Sequence, residues 1–460
     1  MLAAAGTMSR DPRAVLKRQL VHLGAALALG ALAYLLPFPG MPEPARRCLA
    51  IIAIAAYLWV TEAVPLYSTS FLVVFLEVFL LAGPLKLDAG VFIAPFFDRV
   101  IMLFLGGFVL AETLGKFGLD TMLAGAILER TGTKPRRVLL GMMFVAAFLS
   151  MWMSNTAATA LLIGMALTVI RGLPDDEPFR TALILGIPFA ANVGGIATPI
   201  GSPPNAIAIG VLAEHGIRIS FSKWMLIGLP VTALLFFFIW WLLLRLYPPR
   251  VAAIALPPAR RERLSGRQRA VIAVFVVTVV LWLTAELHRL PAAVVATLPA
   301  LVFTGFGFLD TDDFGRIGWD ILILMGGGLS LGVAIKSSGL ADWLLAALHV
   351  GSAGVIPLTV VVMLVAMAVT TFISNTSAAA MLLPLAAGLT GQPAPLVLAA
   401  GIAVSVSMIL PISTPPNAIA YGSGLVKVRT MATAGALVCA GAVAAILAGV
   451  LGVSKLLGYL

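Results

Sequence analysis

Ser154, Asn155 and Thr156 lie together in MWMSNTAATALL, a run without a charged residue, and Ser374, Asn375 and Thr376 do the same in TFISNTSAAAMLL. Ser-Asn-Thr suits the start of a helix, because its side-chain oxygens accept from the free N–H groups of a first turn. A helix beginning there presents a partial positive charge and unfilled donors, and such ends bind carboxylate, sulfate or phosphate. Asn155, Thr156, Asn375 and Thr376 add side-chain donors. The same places suit a hard cation, since carbonyls ending the preceding arm and nearby hydroxyls are oxygen ligands. Ser150 stands one turn before Ser154, and Thr370 one turn before Ser374, so each adds a hydroxyl. A lone triplet could merely cap a helix and pack small residues. Two triplets, each followed by a Pro-Pro-Asn break, point to a site.

The elements that carry them belong to a membrane protein. The chain is 61% hydrophobic and 11% charged over 460 residues, with a mean hydropathy of +1.06. So few charges cannot cover the surface of a water-soluble domain of this size. The net charge of +10 reads as membrane orientation rather than nucleic-acid binding, because the basic residues fall between apolar segments. Cys48 and Cys439 are far apart and offer no ligand cluster or disulfide framework. Arg10, Arg13, Lys17 and Arg18 precede the apolar Leu20–Leu36, which reads as a first membrane helix rather than a cleaved signal.

Eleven spans are expected, near 20–37, 47–64, 66–82, 100–116, 181–213, 224–246, 269–286, 291–306, 320–337, 394–426 and 430–452. They put the N-terminus in the cytoplasm and the C-terminus outside. Charge supports this orientation. Arg130, Lys134, Arg136 and Arg137 fall in one inside segment. Arg245, Arg250, Arg260, Arg261, Arg263, Arg267 and Arg269 surround a second, and Lys427 and Arg429 lie in a third. The outside loops carry less, for example Arg218 and Lys223 opposed by Glu214.

Three apolar stretches do not fit as simple spans. Val138–Ile170, as one straight helix, would be about 50 Å long against a hydrocarbon core of about 30 Å. A re-entrant hairpin with Ser154-Asn155-Thr156 at its tip resolves the mismatch, and the region around Ser374-Asn375-Thr376 divides likewise. The third, Thr181–Ala213, is interrupted by TPIGSPPNAIAIG, whose Pro203 and Pro204 cannot continue a helix. ISTPPNAIAYGSG repeats that pattern at Pro415 and Pro416, so both are discontinuous helices.

The chain is two copies of one unit. LWVTEAVPL is echoed by LWLTAELHRLP, and LFLGGFVLAETLGKFGL by LILMGGGLSLGVAIKSSGL. Trp59 matches Trp282, Gly106 matches Gly326, Ser154 matches Ser374 and Pro203 matches Pro415, in one order and at nearly one offset. The organisation expected is an N-terminal region with the first helix (1–46), repeat 1 (47–248) with a cytoplasm-entering hairpin at 136–172, a basic cytoplasmic linker (249–268), and repeat 2 (269–460) with an outside-entering hairpin at 355–391. Five crossings per repeat invert the second copy. The fold class is therefore an all-α polytopic membrane protein of about eleven transmembrane helices plus two re-entrant hairpins. Its two inverted repeats place broken helices at the midplane, the plan of secondary transporters.

These paired motifs resemble the divalent anion/sodium symporter family, whose members include bacterial dicarboxylate transporters and a sodium-coupled citrate carrier. The resemblance covers nearly the whole chain after the first helix. It implies a homodimer in a bacterial inner (plasma) membrane, with a static scaffold and a moving transport domain working as an elevator. It implies Na⁺ as coupling ion, with no organic cofactor. One sodium site would use Ser150, Ser154, Asn155 and the backbone at Gly201, and its mate Thr370, Ser374, Asn375 and the backbone at Ser413. Substrate carboxylates would meet Ser154, Asn155, Thr156, Ser374, Asn375 and Thr376, with Pro203, Thr414 and Pro415 closing the site. Ser202 stands where the second half has Thr414; a hydroxyl at both implies one role. The expected partners are a small dianion and the lipid bilayer, with no nucleic acid. Sodium-coupled symport of succinate, malate or fumarate is the leading function, against a sodium-independent dicarboxylate exchanger or a citrate or sulfate carrier. The absence of room for a large soluble insert favours dicarboxylates over sulfate.

An enzyme is disfavoured. GLSLG (Gly328–Gly332), with Asp342 and His349 following, fits a hydrolase pattern, but that pattern needs a strand-to-helix elbow and this segment lies in an apolar helix. His22, His215, His288 and His349 are scattered and suggest no metal centre. GGFVLAETLG reads as close helix packing rather than phosphate binding. A channel would want a continuous polar stripe, and polar residues gather only at the tips and breaks. Among intramembrane acids, Glu62 and Glu112 are expected at span ends, paired or solvated. Glu77 is expected at a dimer contact or beside a basic partner, ahead of a role in proton transfer.

Overall fold

The computed structural model describes residues 12–254, 263–347, 354–456 and 458, so Arg10, Arg260, Arg261 and His349 of the sequence reading lie outside the described residues. Among the described residues there is no β-strand. After α1 (Pro12–Leu35), the chain runs through α2 (Glu43–Thr61), α3 (Leu66–Glu77), α4 (Arg99–Lys116), α5 (Leu119–Glu129), α6 (Pro135–Ser150), α7 (Asn155–Ile170), α8 (Phe179–Gly194), α9 (Pro203–Glu214) and α10 (Phe221–Leu246). The second half follows with α11 (Gly266–Leu283), α12 (Ala292–Gly305), α13 (Trp319–Ser337), α14 (Leu340–Ala347), α15 (Val355–Thr370), α16 (Asn375–Ala387), α17 (Pro393–Val406), α18 (Pro415–Gly422) and α19 (Val428–Leu456). From α2 to α10 and from α11 to α19 the order is the same, element for element.

Nine helices among the described residues are long and apolar enough to cross a membrane. Of the other expected spans, 291–306 is the 14-residue α12, and 394–426 is divided between α17 and α18. The expected spans had no place for α5 and α14. Each follows a glycine in the left-handed region, Gly118 at φ +63° and Gly339 at φ +74°, where a Cβ would be strained. The turn reverses the chain at the end of α4 and of α13, and a short apolar helix then lies back against the body.

Repetition extends to single hydrogen bonds. Trp59 Nε1 donates to the Leu66 carbonyl at 3.3 Å, and Trp282 Nε1 to the Ala292 carbonyl at 3.0 Å. Both indoles are fully buried and pin the corner between their own helix and the next. The paired glycines serve close packing, as their pattern suggested. A Cβ on Gly106 would come within 2.6 Å of Ala296 Cβ on α12, and one on Gly326 within 2.7 Å of the Phe96 ring. Phosphate binding has no part there.

The intramembrane acids divide. Glu112 pairs with Arg316 at 3.2 Å, as a span-end acid was expected to do. Asp313, which also holds Lys116, is the hub of the same cluster. Glu77 corrects the expectation. It is fully buried within this chain and accepts the Ser330 hydroxyl, with no basic partner among the described residues. The reason is tertiary: Gly327 on α13 lets α3 approach closely enough for Ser70 to pack on it and for Glu77 to reach Ser330. Ser330 also reaches the Phe92 carbonyl at 2.8 Å in mid-helix, so the GLSLG segment forms no nucleophile elbow.

Around the two triplets the core is densest. All fourteen residues of α17 are buried, and in α8 only Arg180 and Thr181 escape full burial. Helices apolar all round belong inside a bundle. Each half contributes one helical hairpin, α6–α7 and α15–α16, and one broken helix, α8–α9 and α17–α18. The halves interlock crosswise: α7 packs on α18, and α16 packs on α9.

Candidate functional site

The first half-site begins where α6 stops at Ser150. Ser154 caps α7, its Oγ accepting the Ala157 amide at 3.2 Å. The Ser150 hydroxyl donates to Asn155 Oδ1, tying the end of one arm to the start of the next. Opposite them lies the break between α8 and α9. Carbonyl groups freed by such a break must find partners inside the membrane. Trp224 Nε1 takes the Ile196 carbonyl at 2.9 Å, Thr232 takes Val193 at 3.0 Å, and the Thr198 hydroxyl takes Met151 of the hairpin at 2.6 Å. Asn205, directly after Pro203 and Pro204, donates to Gly195 and Thr198 carbonyls, both at 2.8 Å.

Between hairpin and break, oxygens crowd around two glycines. A Cβ on Gly195 would stand 2.7 Å from Asn155 Oδ1 and 2.9 Å from the Gly201 carbonyl. One on Gly201 would stand 2.6 Å from the Gly195 carbonyl and 2.9 Å from the Ser150 carbonyl. Three carbonyls and an amide oxygen thus converge where no side chain can intrude. This donor set fits a small hard cation.

The second half-site repeats the plan with hydroxyls. Ser374 caps α16 through the Ser377 amide at 3.1 Å, and the Thr370 hydroxyl bonds Asn375 Oδ1 at 2.7 Å, matching the Ser150–Asn155 link. Asn417 donates to the Leu410 carbonyl at 3.2 Å and to Ser413 Oγ at 3.3 Å. Ser413 stands where the first half has Gly201, and its hydroxyl donates to Leu410 at 2.7 Å.

Direct bonds join the halves. Asn192 on α8 donates to Thr414 Oγ1 at 3.2 Å, and the Ser202 and Ser405 hydroxyls meet at 3.3 Å. These links correct the expectation that Ser202 and Thr414 share one role. Thr414 Oγ1 caps α18 at the Asn417 amide, 3.2 Å away, whereas Ser202 makes no capping bond and turns to Ser405 instead.

One cavity of about 920 Å³ opens beside both tips. Its wall includes Thr156, Ser374, Ser413, Thr414 and Pro415 from the predicted set, together with Thr61 and Glu62 at the end of α2. Ser154, Asn155, Pro203, Asn375 and Thr376 stand at the tips and breaks but not on that wall. Asn155 and Asn375 face the oxygen clusters instead. Among the described residues lining the cavity none is basic. An anion there would meet helix N-termini and hydroxyls rather than a basic side chain.

Sequence reasoning missed Asn205, Asn417, Asn192, Ser405 and the place of Glu62. For Asn205 and Asn417 a signal was present, since each is the third residue of its Pro-Pro-Asn break.

The chain matches the family described as the sodium:sulfate symporter transmembrane region over residues 17–459. The sodium-dependent dicarboxylate transporter SdcS of Staphylococcus saprophyticus is 33% identical over 431 residues, covering 84% of this chain and 82% of that one. SdcS of Staphylococcus aureus strain USA300 is 32% identical over 460 residues, covering 89% and 87%. An uncharacterized transporter of Schizosaccharomyces pombe is 36% identical over 405 residues, 83% of this chain, which spans only 46% of that relative's length. Two solved structures share the fold at low identity. The YdaH transporter of Alcanivorax borkumensis aligns with a TM-score of 0.55 at 14% identity, covering 97% of both chains. MtrF of Neisseria gonorrhoeae aligns at 0.56 and 12%, covering 96% and 95%.

Proposed function

The chain belongs to the divalent anion/sodium symporter family, and from that premise we propose that it carries C4-dicarboxylates such as succinate, malate and fumarate across the bacterial plasma membrane in symport with sodium. It is a multi-pass membrane transporter, not an enzyme. The observation that carries the proposal is a pair of equivalent tips, Ser150–Asn155 and Thr370–Asn375, whose helices each pack on the Pro-Pro-broken helix of the other half.

Charge explains why sodium is needed. A helix N-terminus is worth about half a positive charge, so α7 and α16 together offset roughly one charge of a dianion. The cavity wall adds no basic residue among the described residues. Sodium in the two oxygen clusters supplies what is missing. Ser150, Ser154, Asn155 and Gly201 hold one ion, and Thr370, Ser374, Asn375 and Ser413 the other. The carboxylates take Thr156 and Ser374 on the cavity wall with the tip amides, and Thr414 and Pro415 close that side. Thr376 and Pro203 stand behind the wall, at the tip and the break.

Sodium binds first and orders both tips, and the dianion then binds between them. Filling the site removes the cost of an uncompensated charge in a low-dielectric passage, so loaded and empty carriers move readily while partly loaded ones do not. The repeats at 47–248 and 269–460 are inverted copies. Their hairpins and broken helices form the part that slides as an elevator, and the remaining helices form a scaffold that pairs two protomers.

Purified protein in liposomes tests this through labelled succinate. Uptake is expected with an inward sodium gradient and not with a potassium gradient. Uptake indifferent to sodium but driven by internal succinate would make the protein an exchanger. No succinate transport in either format would remove the dicarboxylate assignment and turn attention to citrate and sulfate.

A further inference from the structure

Glu62 ends α2 in an unusual way. Its backbone lies in the left-handed region at φ +46° and ψ +32°, a C-terminal position where glycine is the common choice. A non-glycine residue held there is strained, and such strain gathers at functional positions. The side chain is exposed and stands on the wall of the 920 Å³ cavity, whose other faces are Thr156, Ser374, Thr414 and Pro415. Among the described residues lining that cavity Glu62 alone carries a charge. Arg18 shares a neighbouring cavity of about 480 Å³ with it, and no ion pair joins the two among the described residues.

We propose that Glu62 is a charge filter on the wall of this cavity, weakening dianion binding there while favouring sodium. The proposal rests on the dianion-and-sodium reading above. A fixed negative charge raises the free energy of a dianion nearby and lowers that of a cation, by Coulomb's law alone. The effect is local: the carboxylate stands on the cavity wall, so it hinders dianion binding there and speeds release from it. Thr61, its neighbour, already spends its hydroxyl on the Tyr57 carbonyl at 2.8 Å, which leaves Glu62 as the group that sets the local field.

The test uses the purified full chain with wild type, Glu62→Gln and Glu62→Asp. Labelled succinate is titrated at saturating sodium, and sodium is titrated without succinate by tryptophan fluorescence. Glu62→Gln is expected to bind succinate roughly three- to tenfold more tightly and sodium about two- to threefold more weakly, with both differences shrinking as inert salt is added. Glu62→Asp keeps the charge and behaves as wild type. Opposite signs are the mark of a charge effect, because damage to the fold or the turn would weaken both ligands. Unchanged affinities, or both weakened together, would overturn the filter. If wild type binds no succinate in sodium, the dicarboxylate reading fails first and the filter falls with it.

Discussion

Asn155→Ala and Asn375→Ala each abolish succinate transport on their own, with a loss of at least about a hundredfold in uptake rate. Asn155 Oδ1 accepts the Ser150 hydroxyl and lies against the Gly195 and Gly201 oxygens, so its side chain belongs both to the hairpin tip and to the cation cluster. Asn375 does the same for Thr370. Removing either breaks a hydrogen bond at its tip and takes one oxygen from a proposed cation site, though Thr370 keeps the Val404 carbonyl at 3.2 Å. A neutral hydrogen bond is worth about 1 kcal/mol and one to a charged group about 1.5–3 kcal/mol, so losing one of each converts to roughly a hundredfold. Two independent sites would instead lose about half of their capacity per substitution. Thr168→Ala is the control: that hydroxyl is exposed and bonds its own helix at the Gly164 carbonyl, so transport stays as in wild type.

Gly201→Ala is expected to be nearly as severe, for a different reason. The new Cβ would fall 2.6 Å from the Gly195 carbonyl and 2.9 Å from the Ser150 carbonyl, both backbone atoms fixed by the break and the hairpin. Overpacking of this kind costs about 1–3 kcal/mol, and here it falls on the proposed ligands of one ion. The sodium concentration for half-maximal uptake should rise roughly ten- to a hundredfold, while size-exclusion profiles stay monodisperse. The second half carries Ser413 at the matching position, so Ser413→Gly adds no Cβ and should be milder, lowering transport several-fold through the loss of a buried hydroxyl that bonds Leu410 and Asn417. If Gly201→Ala and Ser413→Gly behave alike, the difference between the two clusters has no functional weight.

Much of this arrangement was legible before folding. Polar triplets inside uncharged apolar runs, and prolines inside runs too long for one span, are local signals, and the structure turns them into hairpin tips and breaks. The helix ends at Ser154 and Ser374 follow from capping chemistry that needs only a few neighbouring residues. What stayed hidden depends on distant partners. Glu77 reads locally as an acid in need of a cation, yet its partner Ser330 belongs to the other half and is reached where Gly327 on α13 lets α3 come close. Ser202 and Thr414 look interchangeable in sequence. Ser405 draws the first away from its cap, while the second keeps its own and receives Asn192 as well. The helices α5 and α14 went unseen because their segments lie between spans and carry charges such as Asp120 and Asp342. The left-handed glycine before each was the available clue.

The claim at the centre is that two inverted half-sites make a single binding site. The most direct measurement is the number of succinate molecules bound per chain at saturating sodium, by equilibrium binding to purified wild type, Asn155→Ala and Asn375→Ala. One molecule per wild-type chain and none in either variant is the predicted result. Two per chain, or half the capacity surviving in either variant, would contradict it.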